Sequence, residues 1–133
     1  MLKGCVIGLG TMGSNHARVL YELQEETKIK LIGVADIKED RTKEIAKKYS
    51  IDWFTDYEKL LKRKPDFAIV TVPTELHREV ALAAINHGCH VLVEKPLAYL
   101  LEDGRKIVDA AKKMGVQLLS LIHISEPTRQ AEI

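Results

Sequence analysis

The sequence predicts an α/β domain with a doubly wound parallel sheet, and three observations carry that expectation. Short apolar runs alternate with segments of helical spacing along nearly the whole chain. Those runs are apolar at successive positions, the pattern of strands covered on both faces. Little linker separates strand from helix, and the right-handed crossover rule then makes the doubly wound arrangement the economical topology.

Taken in order, "LKGCVIG" is a buried strand ending in glycine, and "GSNHARVLYEL" follows with Ala17, Leu20 and Leu23 near helical spacing. "IKLIGVAD" is a second strand, and "EDRTKEIAKKY" a charged helix with Ile45, Ala46 and Tyr49 inward. "DWF" makes a brief third strand, after which Asp56 can cap the short helix "YEKLLK". "DFAIVTV" is the fourth strand, "ELHREVALAAINH" a helix stopped by Gly88, and "HVLVE" the fifth strand. The helix "LEDGRKIVDAAKKM" is stopped by Gly115, and "VQLL" opens a final strand. Glycine after a last helical turn accepts a left-handed backbone that a Cβ would resist. The fifth helix has Tyr99 and Leu100 where a Ser, Thr, Asp or Asn cap is usual, an absence that costs about 1 kcal/mol.

With 133 residues, 46% of them hydrophobic and 29% charged, the chain suits one domain. Such a domain buries roughly two-thirds of the surface its unfolded form exposes. Twenty basic and nineteen acidic residues leave a formal charge of +1, which argues against a nucleic-acid partner and against an acidic tail. The apolar runs are far too short to cross a bilayer, so no membrane partner is expected. Met1-Leu2-Lys3 leads directly into a strand-like run, with no signal-peptide pattern. Cys5 and Cys89 lack the spacing of a zinc site and read as buried free thiols, so no metal is expected and a reducing cytoplasm fits.

The end of the chain breaks the pattern. "LSLIHISEPTR", residues 119–129, resembles a translated frame of the transposon-end adaptor used to prepare sequencing libraries. The domain is therefore expected over residues 1–118, with 119–133 a non-native tail and the native gene product continuing beyond about Leu118. On that expectation His123 and Ser125 carry no functional reading.

The chemistry begins where the first strand turns into its helix, through Gly8-Leu9-Gly10-Thr11-Met12-Gly13. A GxGxxG run between a strand and a helix points to a dinucleotide. Gly8 permits the tight turn, Gly10 clears the approach of a pyrophosphate, and Gly13 lets the helix lie close to the sheet. The first-turn amides and the helix dipole then favour the anion. Asp36 ends the second strand, 23 residues after Gly13, where a ribose-binding acid is expected. Its carboxylate would repel a 2′-phosphate and favour NAD over NADP. Lys38 and Arg41 are either cations that tolerate that phosphate or solvated charges at a helix start.

"VLVEKPLA" drives an apolar strand into a carboxylate, an ammonium and a proline. In an open parallel sheet the ligand lies beyond the carboxyl ends of the strands, at the switch in strand order. The fourth strand ends in Thr71-Val72-Pro73-Thr74 and the fifth in Glu94-Lys95-Pro96, so both are delivered to the edge that carries Gly8. Pro96 stops the ladder and holds Lys95 extended.

Together GLGTMGSNHA, VADI, VTVPTELH and VEKPLA resemble the N-terminal domain of the Gfo/Idh/MocA oxidoreductases, from Leu2 to about Leu118. The resemblance implies a Rossmann domain that binds NAD, with NADP as the alternative. It implies an enzyme that oxidises or reduces a hydroxyl or carbonyl carbon of a sugar, cyclitol or nucleotide sugar. Gly8, Gly10, Thr11, Met12 and Gly13 would hold the pyrophosphate, and Asp36 and Ile37 would meet the adenosine end. Thr71, Val72, Pro73, Thr74 and His77 would line the cofactor's path, with Glu94 near the nicotinamide half. Lys95 would border the cofactor and be the catalytic lysine, touching substrate and exchanging a proton at the reacting oxygen. An ammonium in a desolvated crevice also stabilises a developing alkoxide.

The resemblance further implies a second, mixed β-sheet domain that carries the substrate pocket, a paired Asp and His, and commonly the oligomer interface. No such domain fits after Leu118. The chain is therefore expected to be the cofactor half of a homo-oligomeric dehydrogenase, itself nearly inactive, with an apolar docking surface exposed. His16 reads as a packing or hydrogen-bonding residue; for His77, cofactor contact and helix capping both stay open. His87 and His90 bracket a solvated turn at the opposite edge of the sheet. The alternatives are a non-catalytic NAD-binding module, such as a redox sensor, and a reductase of a neighbouring Rossmann family. The Glu-Lys-Pro after the fifth strand argues against both.

Overall fold

The computed structural model of the protein describes residues 1–95, 97, 98 and 100–120. Among them the chain runs β1 (Leu2–Ile7), α1 (Thr11–Leu23), β2 (Ile29–Ala35), α2 (Glu39–Tyr49), β3 (Asp52–Phe54) and α3 (Tyr57–Leu61). It continues through β4 (Phe67–Val70), a 3-10 turn (Thr74–Leu76), α4 (His77–Asn86), β5 (His90–Val93), α5 (Leu101–Met114) and β6 (Leu118–Ser120). Every strand pairing is parallel, in the order β3-β2-β1-β4-β5-β6. The chain works outward from β1 to β3, crosses back to β4 and works outward again, so the reversal falls between β1 and β4. This is the doubly wound sheet that the alternation of strand and helix predicts.

Successive strand residues point to opposite faces, and both faces are covered. Cys5 and Ile7 of β1, Ala68 and Val70 of β4, and Val91 and Val93 of β5 enter one core with residues of α3, α4 and α5. The intervening Val6 and Ile69 join Ala17, Leu20 and Ala46 of α1 and α2 on the other face. Each position therefore gains from burial, about 1.5–3 kcal/mol for a Val, Ile or Leu, which is why the strands read as unbroken apolar runs. A Cβ at Gly4 would clash with the tip of the Phe67 ring, its partner across β1 and β4, so this glycine is a notch for that ring.

The caps follow the expected chemistry. Asp56 accepts a hydrogen bond from Glu58 N at 2.9 Å and starts α3. Leu100 stands at the N-terminus of α5 with no side-chain hydrogen bond, and Gly115 ends that helix in the left-handed conformation at φ 69°. Cys5 and Cys89 are free and buried. Burial pushes both thiols up, Cys89 to about 11. β6 pairs Leu119 with Leu92 and Ser120 with Val93, so the expected boundary at Leu118 falls inside a strand. Pro96, Tyr99 and residues 121–133, with His123 and Ser125, lie outside the described residues. No helix among the described residues is long and apolar enough to cross a membrane.

Candidate functional site

The residue just past each inner strand donates one further ladder bond. Asp36 N donates to Phe54 O (3.2 Å), Gly8 N to Ala35 O (2.8 Å), Thr71 N to Ile7 O (2.9 Å) and Glu94 N to Val70 O (3.1 Å). Asp36, Gly8, Thr71 and Glu94 therefore stand in one row along the carboxyl edge. Lys95 follows directly on the rim that carries the glycines.

The three glycines do different work. Gly8 takes φ +99°, and a Cβ there would lie 2.7 Å from the Thr71 carbonyl carbon. At Gly13 a Cβ would overlap the Gly8 carbonyl oxygen, so the missing side chain is what lets α1 lie against the loop. Gly10 is unlike both: its φ is −68°, and a Cβ would meet nothing within 4 Å. The fold does not require glycine there. Its effect is to leave room at the start of α1, where no side-chain cap takes the first-turn amides. The peptide group between Gly8 and Leu9 is held on both sides, by Thr71 Oγ1 donating to Gly8 O at 2.6 Å and by Leu9 N donating to Asp36 Oδ2 at 2.6 Å.

Asp36 is also tied to the start of α2. Its Oδ1 accepts from Lys38 N at 2.9 Å and stands 3.9 Å from an Arg41 guanidinium nitrogen. The fully buried Thr42 closes this turn, its hydroxyl shared between Lys38 O at 2.7 Å and Asp36 O at 3.1 Å. A carboxylate offers about four acceptor positions. Two amides use part of that capacity, and the rest is open to a diol. Arg41 Nε is buried without a hydrogen-bond partner among the described residues.

A cavity of about 580 Å³ runs along this edge, a volume in the range of small-molecule sites. Gly8, Gly10, Asp36, Ile37, Thr71, Val72 and Pro73, all anticipated from the sequence, line it. Thr11, Met12 and Gly13 sit beside it in the first turn of α1, and Thr74 in the 3-10 turn. Lys38, which is exposed, and Arg41 line it too. So do Leu76, inside the VTVPTELH stretch but not singled out from it, and Glu79 and Tyr57, which no motif marked. Tyr57 Oη donates to Glu79 Oε2 at 2.8 Å. Burial, and next the bond to Glu79, push the phenol's ionisation well up, so it stays a donor.

The remaining expected residues are placed differently. His77 is buried, with Nε2 2.8 Å from Val72 O and Nδ1 3.1 Å from Leu97 O. The first turn of α4 turns its ring toward these two carbonyls. His77 neither lines the cavity nor caps the helix; it ties the end of β4 to the segment after Lys95. Glu94 Oε2 is 2.9 Å from His16 Nε2, which joins α1 to the end of β5. Lys95 is exposed, so the desolvation expected around it is not supplied by the described residues. His87 and His90 are exposed, the first with Nδ1 2.8 Å from Ala83 O one turn back and the second accepting from Gln117 N just before β6. Among the described residues no three His, Cys, Asp or Glu side chains are arranged to hold a metal ion.

The sequence matches the profile of the Gfo/Idh/MocA oxidoreductase family, NAD-binding Rossmann fold, over residues 2–122. The chain belongs to this family. Inositol 2-dehydrogenase of Salmonella typhimurium is 32% identical over 123 residues, covering 90% of this chain and 36% of that protein. The NAD(+)-dependent scyllo-inositol 2-dehydrogenase of Bacillus subtilis is 33% identical over 117 residues, covering 86% and 34%. The crystal structure of the WlbA dehydrogenase of Chromobacterium violaceum, in complex with NADH and UDP-GlcNAcA, superposes with a TM-score of 0.84. It is 27% identical, over 90% of this chain and 34% of that one. The chain thus spans about a third of the curated relatives it matches. As the dinucleotide domain of a Gfo/Idh/MocA protein, its residues fit NAD. Gly10 leaves the space a Cβ would fill, α1 begins uncapped, and Asp36 keeps acceptor capacity.

Proposed function

We propose that this domain binds NAD across the carboxyl ends of β1 and β4 and serves a dehydrogenase. That enzyme acts on a hydroxyl or carbonyl carbon of a sugar, cyclitol or nucleotide sugar. The observation that carries the reading is the pairing of an unobstructed helix start at Gly10 with the Asp36 carboxylate, both on one cavity. An anionic diphosphate suits the first and a ribose diol the second. Thr11, Met12 and Gly13 present the first-turn backbone to the diphosphate, and Ile37 borders the adenosine. Thr71 to Thr74 border the cofactor's path, and Glu94, braced by His16, stands near the nicotinamide half.

When bound, the nicotinamide ring accepts or returns a hydride. Lys95 as the free amine would take up the hydroxyl proton when the alcohol is oxidised, and as the ammonium would return it on reduction, so charge would not build on the reacting oxygen. The substrate class rests on the relatives, which include dehydrogenases of inositols. The protein works in the cytoplasm with its thiols reduced, and as a homo-oligomer in its longer form. Titration calorimetry of the folded chain with NAD is the test, and a heat of uptake is expected. Folded protein that takes up no NAD overturns the proposal.

A further inference from the structure

The cavity reaches past the glycine loop and Asp36 to a second polar group, the Tyr57–Glu79 pair, which the reading above does not use. Tyr57 opens α3 and Glu79 stands in the first turn of α4, 2.8 Å apart through the phenol proton. That proton is committed, because burial and neighbouring carboxylates hold it on the phenol. What the pair offers a ligand is therefore acceptors: the lone pairs of Oη, and Glu79 Oε1, which takes no hydrogen bond from a described residue.

The walls near this pair are apolar and unusually bare. Ile37 is 85% exposed and Leu76 41% exposed, although both line the cavity. Ile37 follows Asp36 directly, and Leu76 precedes Glu79 by three residues, so it shares that helical face. Two large apolar side chains left in water on one cavity suit a flat ring. An acceptor group beside such a slot selects a ring that carries an N–H donor on its edge.

We propose that Glu79, held in place by Tyr57, reads the base of the dinucleotide, accepting a hydrogen bond from the exocyclic amino group of adenine. The proposal rests on the NAD-binding reading and deepens it, making Glu79 a specificity-determining residue. A 6-oxo purine puts a carbonyl oxygen where adenine has its amino group. That oxygen would face the carboxylate with no proton between them, and the neighbouring ring N–H could reach Glu79 only if the base slid in its slot.

The test compares NADH with reduced nicotinamide hypoxanthine dinucleotide, which differ at that one position, by fluorescence titration of the 133-residue chain. NADH is expected to bind about tenfold tighter, the size of one hydrogen bond to a charged acceptor. Glu79→Gln presents both a donor and an acceptor, and brings the two affinities within about twofold of each other. Glu79 is exposed, so this variant keeps the melting temperature of the parent. Equal affinities in the parent chain, or a preference that Glu79→Gln leaves unchanged, overturn the base-reading role while NAD binding stands. If neither dinucleotide binds, both readings fall.

Discussion

Replacing Asp36 with alanine separates the two tasks of its carboxylate, holding the loop and meeting the ribose. On the protein side it accepts from the amides of Leu9 and Lys38 and stands 3.9 Å from Arg41. On the ligand side, hydrogen bonds from a ribose diol to a carboxylate are worth about 1.5–3 kcal/mol each when taken singly. Two such bonds sharing one acceptor add to less than their sum, so a loss of about 2–3 kcal/mol is expected. NAD affinity then falls about 30- to 150-fold. NADP gains nothing from the carboxylate, because its 2′-phosphate meets a like charge there. Without Asp36, Lys38 and Arg41 face that phosphate unopposed, and NADP affinity holds or rises. Calorimetric titration of both cofactors reads the ratio directly. Should NAD and NADP weaken by the same factor, Asp36 acts by tethering Leu9 and not by contact with the ribose. Asp36→Asn, which keeps an acceptor for the Leu9 amide, distinguishes the two.

The glycines give a paired prediction: Gly10→Ala changes stability by no more than about 1 kcal/mol yet weakens NAD at least about tenfold, because its Cβ enters ligand space. Gly13→Ala forces a Cβ into the Gly8 carbonyl and costs about 3 kcal/mol in denaturant unfolding, so a reversed order would refute the assignment of roles. His77→Ala removes the ring N–H that one of the half-buried carbonyls of Val72 and Leu97 can accept, together with a buried ring, and a loss of about 1–3 kcal/mol is expected in the same assay. The thiols predict an alkaline limit. Cys89 moves from an ordinary value of 9.0 to about 11 in the folded chain, so the unfolded chain releases that proton first. Stability is therefore flat in this group below about pH 8 and falls from pH 9 toward 11, and urea midpoints of Cys89→Ala decline less over that window.

What could be read from sequence, and what could not, follows from the range of the interactions. The sheet was legible because its signal is local: apolar runs such as "CVIG" and "AIV" must be buried on both faces, and only helices fit between them. The rim was legible because strand ends such as Gly8, Asp36, Thr71 and Glu94 inherit their position from a parallel sheet. The far wall of the cavity was not. Tyr57 and Glu79 lie 22 residues apart, on separate helices, and meet only because α3 and α4 cover the same face. His77 misled for a related reason: its place after "VTVPTEL" points toward the edge, whereas the turn of the chain folds the ring inward onto two carbonyls.

The double anchorage of the glycine loop has a kinetic consequence. With the Thr71 hydroxyl on one carbonyl and the Asp36 carboxylate on one amide, the segment is restrained before anything docks. Little freedom is left to surrender on association, so cofactor uptake is expected in a single exponential whose rate climbs linearly with concentration. Thr71→Val cuts one anchor while keeping the shape of a side chain that lines the cavity, and its deficit falls mainly on the entropy of association.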